Sequence, residues 1–334
     1  VDADSGEYRW HYQMVPEEQW DFTCTQPMVL ADLQINGQPR QVIMQAPKNG
    51  YFYVLDRATG ELISADNYVP QNWTTGIDMA TGRPIANPEA RVDRPCRPFV
   101  GTPGPGGGHA CQPMAFSPTE RLVYIPSIES AFPYIPEAGW KPDPNRGMNT
   151  GLDLGAGAMP ADPAAREAAR EATKGALIAW DPVTQTERWR VPHPSPWNGG
   201  LLSTGGGLVF QGNAGGRFVA YSAKDGKELW SFFAQTGIIA PPITYTIDGE
   251  QYVAVLAGWG GVFPLSPTGF LTEQAGPLPN ISRLLVFKLG GTAELPPARA
   301  LERRPLDPPP FTGTEAQVAQ GAYDFGRYCS QCHN

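Results

Sequence analysis

One short phrase returns along this chain and constrains its fold more than any other feature. Its fullest form is Asp-x-x-x-Gly with a tryptophan four residues after the glycine. It runs from Asp2 to Gly6 ahead of Trp10, from Asp56 to Gly60, and from Asp78 to Gly82. It returns from Asp181 to Gln185 ahead of Trp189, and from Ser222 to Gly226 ahead of Trp230. Apolar stretches precede several copies: residues 51–55, 175–180 and 217–221. The spacing predicts a strand, a tight turn and a second strand, repeated. A single hairpin cannot bury both of its faces, so a series of them implies sheets stacked on one another, as in a β-propeller. An unclosed sandwich of unrelated hairpins is the alternative. The fixed place of Trp10, Trp189 and Trp230 after the turn favours one shared packing role, and the copies count out about four blades.

Composition agrees with an all-β reading. Gly 38 and Pro 36 are spread through the 334 residues as turn punctuation, and 41% apolar with 17% charged residues is enough to form a large core. A net charge of −8 without any basic patch argues against a nucleic-acid partner. No apolar run is long enough to be a transmembrane segment. The sequence opens at Val1 without an initiator methionine or signal peptide and stops one residue after His333, so it reads as a segment of a longer chain.

Two stretches interrupt the repeat. Asp162 as N-cap, Pro163 at the first helical position, strong helix formers over 164–174 and Gly175 at the end predict a short surface helix within an insertion. Residues 290–313, with Pro296, Pro297, Pro305 and Pro308 to Pro310, predict a semi-rigid linker. Thr314 can then cap a helix through Gln317, Tyr323 and Phe325 that leads into Cys329. The expected organisation is a propeller portion over 1–289, the linker over 290–313 and the start of an α-helical cytochrome c domain over 314–334.

The motif at that end is Cys329-Ser330-Gln331-Cys332-His333. In this spacing two thiols add to haem vinyl groups and the adjacent histidine ligates the iron, so all three must share one helical turn. A thioredoxin-like pair or half a zinc site is the competing reading, but no second Cys-x-x-Cys follows and no βαβ unit precedes. The second axial ligand would come from beyond Asn334. Covalent haem c implies a periplasmic protein, where disulfides are also tolerated. Cys96 and Cys111 flank the Pro/Gly loop 101–108 and are candidates for one, with two buried thiols as the alternative.

Several motifs in order resemble the pyrroloquinoline quinone (PQQ) alcohol dehydrogenases, and the quinohaemoprotein branch in particular. They are the Trp-bearing turn phrase, Trp20-Asp21-Phe22-Thr23, residues 45–56, Gln112-Pro113-Met114, Pro196-Trp197-Asn198-Gly199-Gly200 and Gly258-Trp259-Gly260-Gly261, with the linker and Cys-x-x-Cys-His behind them. The resemblance implies an eight-bladed quinoprotein propeller of which this chain is the C-terminal part. It also implies oxidation of primary alcohols to aldehydes with PQQ and Ca²⁺, and electron transfer through haem c to a downstream cytochrome, copper protein or quinone.

By that likeness Asp21 is the catalytic base and a calcium ligand, and Lys48 bonds the quinone oxygens. Trp197, Asn198, Trp259, Gly261 and Val262 line the quinone, Cys329 and Cys332 carry the haem, and His333 binds its iron. Read without the likeness, Asp21 is a turn or capping aspartate, Lys48 a surface lysine and Trp197 a core aromatic. The lanthanide-using branch carries a further aspartate where this chain has Thr23, so calcium is the expected metal; its other ligands, and the tryptophan stacked under the quinone, would lie upstream of Val1. One position departs from the pattern. Relatives read His-Asn-Trp where this chain has His109-Ala110-Cys111, and Ala110 cannot make the asparagine's bond to the cofactor. Two other readings stay open: a related enzyme for polymeric or bulky alcohols, and a non-catalytic propeller scaffold.

Overall fold

A computed structural model describes residues 1–93, 97–142, 144, 149–153, 162–260, 279–297, 305, 307–325 and 329. The chain is mostly β. Its first sheet is an antiparallel meander of β1 (Val29–Ile35), β2 (Gln38–Gln45), β3 (Tyr51–Asp56) and β4 (Leu62–Asn67). Asn36 and Gly37 join β1 to β2 with φ of 52° and 75°, the two left-handed residues that a two-residue hairpin turn requires. Two ribbons follow: β5 (Thr74–Asp78) pairs with β6 (Arg83–Ala86), and β7 (Phe99–Gly101) pairs with a later strand. The second sheet contains β8 (Ala115–Ser117) and β9 (Leu122–Glu129). The chain then leaves it through β10 (Phe132–Tyr134), the partner of β7, and helix α1 (Pro163–Ala172). It returns as β11 (Lys174–Asp181) and β12 (Thr186–His193) to complete the sheet.

The third sheet is the meander β13 (Leu201–Ser203), β14 (Leu208–Gly212), β15 (Arg217–Ser222) and β16 (Glu228–Phe233). The last has three described strands, β17 (Ile243–Ile247), β18 (Glu250–Ala257) and β19 (Arg283–Phe287). Helix α2 (Glu315–Asp324) lies towards the C-terminus.

Consecutive sheets bury their faces against one another. Leu33, Val42, Phe52 and Val54 of the first meet Val123, Ile125, Ile178 and Trp180 of the second. Tyr124 and Leu177 meet Val209, Val219 and Tyr221 of the third, and Phe210 and Phe218 meet Val253, Val255 and Leu285 of the last. Sheets covered on both sides need strands that are apolar throughout. Residues 51–55 of β3 and 175–180 of β11 are accordingly buried without a break.

The repeated phrase closes a turn in every copy. The amide of its fifth residue donates to the carbonyl of its first: Gly6 to Asp2, Gly60 to Asp56, Gly82 to Asp78, Gln185 to Asp181 and Gly226 to Ser222. The aspartate oxygen accepts the next free amides, those of Ala58 and Thr59 at 3.0 and 3.1 Å for Asp56 and of Val183 and Thr184 at 2.9 and 3.1 Å for Asp181. The fifth residue is left-handed in all five copies, which explains glycine in four of them.

A β-bulge sits just before the turn in three sheets, between Val54 and Leu55, Ala179 and Trp180, and Ala220 and Tyr221. The tryptophan after one turn docks on the turn of the next sheet. Trp10 Nε1 donates to the Arg57 carbonyl at 3.2 Å over Gly60, and Trp189 Nε1 to the Ala223 carbonyl at 3.3 Å over Gly226. Trp230, after the last copy, meets Phe287 edge-on at 5.2 Å.

Helix α1 starts as its sequence predicts, with the Asp162 side chain accepting the Ala165 amide at 2.8 Å. Its end does not. The helix stops at Ala172 with Thr173 as C-cap, so Gly175 lies inside β11, where glycine leaves room that a Cβ would lose, 2.5 Å from the Ser195 carbonyl and 2.7 Å from Asn198 Nδ2. The α2 cap is a reciprocal box: the Thr314 hydroxyl accepts the Gln317 amide and Gln317 Oε1 accepts the Thr314 amide at 2.8 Å.

Candidate functional site

Asp21 stands between two anchored aromatics. Trp20 and Phe22 are both buried, Trp20 Nε1 donates to the Ala90 carbonyl at 2.9 Å, and their rings pack on Trp73 at 5.3 and 5.7 Å. Asp21 itself takes a left-handed φ of 67°, uncommon for a residue with a side chain, and its carboxylate is 63% exposed.

Its partner comes from the connection between β2 and β3. Lys48 Nζ lies 2.9 Å from Asp21 Oδ2, although the lysine side chain is only 16% exposed. A cation withdrawn this far from water needs an opposite charge, and Asp21 supplies it. Glycine permits the burial. A Cβ on Gly107, whose φ is +77°, would stand 2.4 Å from Lys48 Cβ and Cγ, and the Gly108 amide donates to the Lys48 carbonyl at 2.8 Å.

The loop that holds Lys48 continues to a cavity. His109 is fully buried, with Nδ1 2.7 Å from the Ala46 carbonyl and Nε2 2.5 Å from that of Gln112; burial pushes its pKa below the ordinary value. Ala110 is buried and brings no polar group. Cys111 then lines a cavity of about 600 Å³ together with Pro113, Trp197, Ile239, Leu256 and Trp259. The loop around Gly107–Gly108 and the cavity wall at Cys111–Pro113 are thus one short stretch of chain, and Pro113 is locked in place by the Leu201 amide at 2.9 Å.

Other sequence-selected residues distribute differently. Trp197 and Trp259 share the cavity, whereas neither Asp21 nor Lys48 lines it. The Asn198 amide bonds backbone, with Nδ2 donating to the Ser195 carbonyl at 2.8 Å and Oδ1 accepting the Ala214 amide at 3.4 Å, so it ties two loops behind Trp197. Cys111 carries an exposed thiol, and Cys96, its candidate disulfide partner, lies outside the described residues. Gly261, Val262, Cys332 and His333 also lie outside them, and Cys329 is exposed and free. Among the described residues no three His, Cys, Asp or Glu side chains gather to hold a metal, and no helix is long and apolar enough to cross a membrane.

Sequence reasoning passed over Glu18 and Tyr134, which hold the peptides on either side of Asp21. Glu18 Oε1 accepts the amides of Trp20 and Phe22 at 2.6 and 2.8 Å, and the Tyr134 hydroxyl donates to the Trp20 carbonyl at 2.9 Å. The signal for Glu18 was local, an acid three residues before Asp21. None existed for Tyr134, 113 positions further on.

Stacked antiparallel sheets with docked tryptophans, carrying an aspartate–lysine pair beside a Gly-rich loop, define a quinoprotein-type propeller. The chain belongs to the glucose/ethanol/alcohol dehydrogenase β-propeller family, whose model, termed PQQ, matches residues 1–99 and 95–253. It is 46% identical over 332 residues to the dehydrogenase subunit of the quinone alcohol dehydrogenase of Komagataeibacter europaeus, covering 99% of this chain and 44% of that one.

Two solved structures agree along the whole chain. The quinohemoprotein alcohol dehydrogenase ADH-IIG of Pseudomonas putida superposes with a TM-score of 0.88 at 43% identity, over 100% of this chain and 48% of that one. The quinohemoprotein alcohol dehydrogenase of Comamonas testosteroni gives 0.83 at 40% identity, over 100% and 47%. The chain therefore spans about half the length of the relatives it matches.

Proposed function

We propose that this chain is the C-terminal propeller portion, with the opening of the cytochrome c domain, of a periplasmic quinohaemoprotein alcohol dehydrogenase that oxidises primary alcohols to aldehydes. The observation that carries this reading is the 2.9 Å pair between Lys48 and Asp21. It places a semi-buried cation and an accessible carboxylate side by side, which is what alcohol oxidation against a quinone requires.

The residues fit the quinone. PQQ is a flat, anionic ring system: Lys48 offers an ammonium donor for its oxygens, and the cavity walled by Trp197 and Trp259, which Lys48 does not line, offers apolar surface. When bound, PQQ would supply the two-electron oxidising power that the carbinol carbon requires. Asp21, open to solvent on one side, accepts the hydroxyl proton of the alcohol. Lys48 holds that carboxylate in place at 2.9 Å, and its charge favours the electron-rich form of whatever it bonds. The buried Trp20, Phe22 and Trp73 cluster keeps the base on a rigid support.

Calcium is the proposed metal because Thr23 stands where a trivalent ion would call for a further carboxylate. Calcium takes about six to eight oxygen ligands, and among the described residues no three His, Cys, Asp or Glu side chains gather to supply them. Cys329, Cys332 and His333 are the proposed haem attachment. Electrons would leave through that haem to a cytochrome, copper protein or quinone.

The deciding experiment is reconstitution of the full-length protein with PQQ and Ca²⁺, comparing wild type with Asp21→Asn on ethanol and a long primary alcohol. The variant is expected to bind quinone and lose alcohol oxidation by about 10²-fold or more. Normal oxidation by Asp21→Asn would remove the base assignment, and a full-length protein with neither haem nor quinone absorbance would remove the enzyme reading in favour of a scaffold.

A further inference from the structure

Asp21 is the most constrained residue at the site, and its own side chain does not supply the constraint. A non-glycine residue in the left-handed region is strained and persists only where its surroundings impose it. The flanking groups do so here. The amides of Trp20 and Phe22 turn towards the same point and both reach Glu18 Oε1, at 2.6 and 2.8 Å. A left-handed residue makes such convergence possible, since it brings the amides on its two sides into one concave nest that favours an anion. On the other side the Tyr134 hydroxyl takes the Trp20 carbonyl at 2.9 Å. Trp20, the residue before Asp21, is thus held at both its N–H and its C=O, and the peptide after Asp21 at its N–H.

We propose that Glu18 is the positioning residue for the base, its carboxylate filling the nest around Asp21 and thereby aiming the Asp21 carboxylate at Lys48 and the substrate. This rests on the reading of Asp21 as the base. Glu18 does not line the cavity, and its carboxylate bonds the amides of Trp20 and Phe22, so its effect passes through the backbone of residues 20–22. An aspartate at this position would carry the same charge but fall one methylene short of the nest. A glutamine would keep an oxygen acceptor of the right reach, with weaker bonds to the two amides.

The test uses the full-length enzyme loaded with PQQ and Ca²⁺ in four variants: Glu18→Ala, Glu18→Asp, Glu18→Gln and Asp21→Asn. The measurements are kcat per bound quinone, alcohol KM, PQQ affinity by quenching of tryptophan fluorescence, and a crystal structure of Glu18→Ala. For Glu18→Ala, kcat per bound quinone is expected to fall between about tenfold and a hundredfold. KM and PQQ affinity should stay within about threefold of wild type, since a displaced base slows the chemical step more than it weakens binding. Glu18→Asp should fall almost as far, and Glu18→Gln should recover most of the loss.

In the crystal, Asp21 should leave the left-handed region and part from Lys48. A purely structural role would lower the melting temperature and the yield of loaded enzyme while leaving kcat per bound quinone unchanged, and that result overturns the proposal. If Glu18→Ala does not fold, Glu18→Asp decides by the same split. If Asp21→Asn keeps normal activity the base assignment itself fails. The clamp is then judged by the crystal alone, where an Asp21 still left-handed and paired with Lys48 overturns it.

Discussion

Gln185 Nε2 donates to Ser64 Oγ at 2.7 Å, while Gln185 Oε1 accepts Trp180 Nε1 at 3.1 Å. This pair occupies the junction of the first and second sheets, at the positions where neighbouring junctions have a docked tryptophan and a glycine. Ser64 stands four residues after Gly60 as Trp10 does after Gly6, and Gln185 closes its turn as Gly60 and Gly226 close theirs. Loss of the indole and loss of the glycine therefore go together. Without the ring above it, the turn has room for a side chain, and that side chain replaces the indole's contacts with hydrogen bonds, even at the cost of a left-handed φ of 54°. Each single exchange, Ser64→Trp or Gln185→Gly, is expected to destabilise the full-length protein. The double variant should recover a coupling energy of about 1 kcal/mol or more in a urea-unfolding double-mutant cycle.

The two jobs of a turn glycine can be separated. Gly60 is left-handed and a Cβ on it would lie 2.5 Å from Trp10 Cε3, whereas Gly37 is left-handed with open space around it. Gly37→Ala is expected to cost about 1 kcal/mol, the conformational penalty alone. Gly60→Ala should cost about 2–4 kcal/mol because the docked indole must also move. Denaturant midpoints at constant slope would measure both.

Gly107→Ala should act on the site more than on the fold. The added methyl would strike Lys48 Cβ and Cγ at 2.4 Å, and the left-handed φ adds strain. Displacing Lys48 separates it from Asp21, so PQQ affinity is expected to drop about tenfold or more. Fluorescence titration with PQQ, set against the melting temperature, would show whether the loss is local.

Stability should fall on mild acidification. His193 is buried, its Nε2 lies 3.0 Å from Gln211 Oε1, and burial, with Arg217 nearby, lowers its pKa from the ordinary 6.5. The folded state then resists a proton that the unfolded chain accepts, so its contribution is complete above pH 6.5 and is lost progressively as pH drops towards the lower folded value. His109 acts in the same direction. His193→Asn is expected to flatten, without abolishing, the decline of the urea midpoint between about pH 7.5 and 5.

What the sequence by itself determined is what contiguous residues can settle among themselves. An aspartate oxygen reaches the amides two and three residues ahead, a left-handed fifth residue closes the turn, and Thr314 reaches Gln317, so the turns and the helix starts are legible without the fold. The tertiary structure alone decided the partnerships between distant stretches of chain. Trp10 finds the second copy of the turn, and Ser64 finds Gln185 instead of a glycine. Gly175 gives way to Ser195 and Asn198, and Lys48 crosses 27 positions to reach Asp21. Cys111 and Trp197 come to face one cavity, and Tyr134 closes on the Trp20 carbonyl. The physical reason is range: hydrogen bonds within four residues follow from local backbone geometry, whereas buried contacts depend on how stacked sheets route the chain between them.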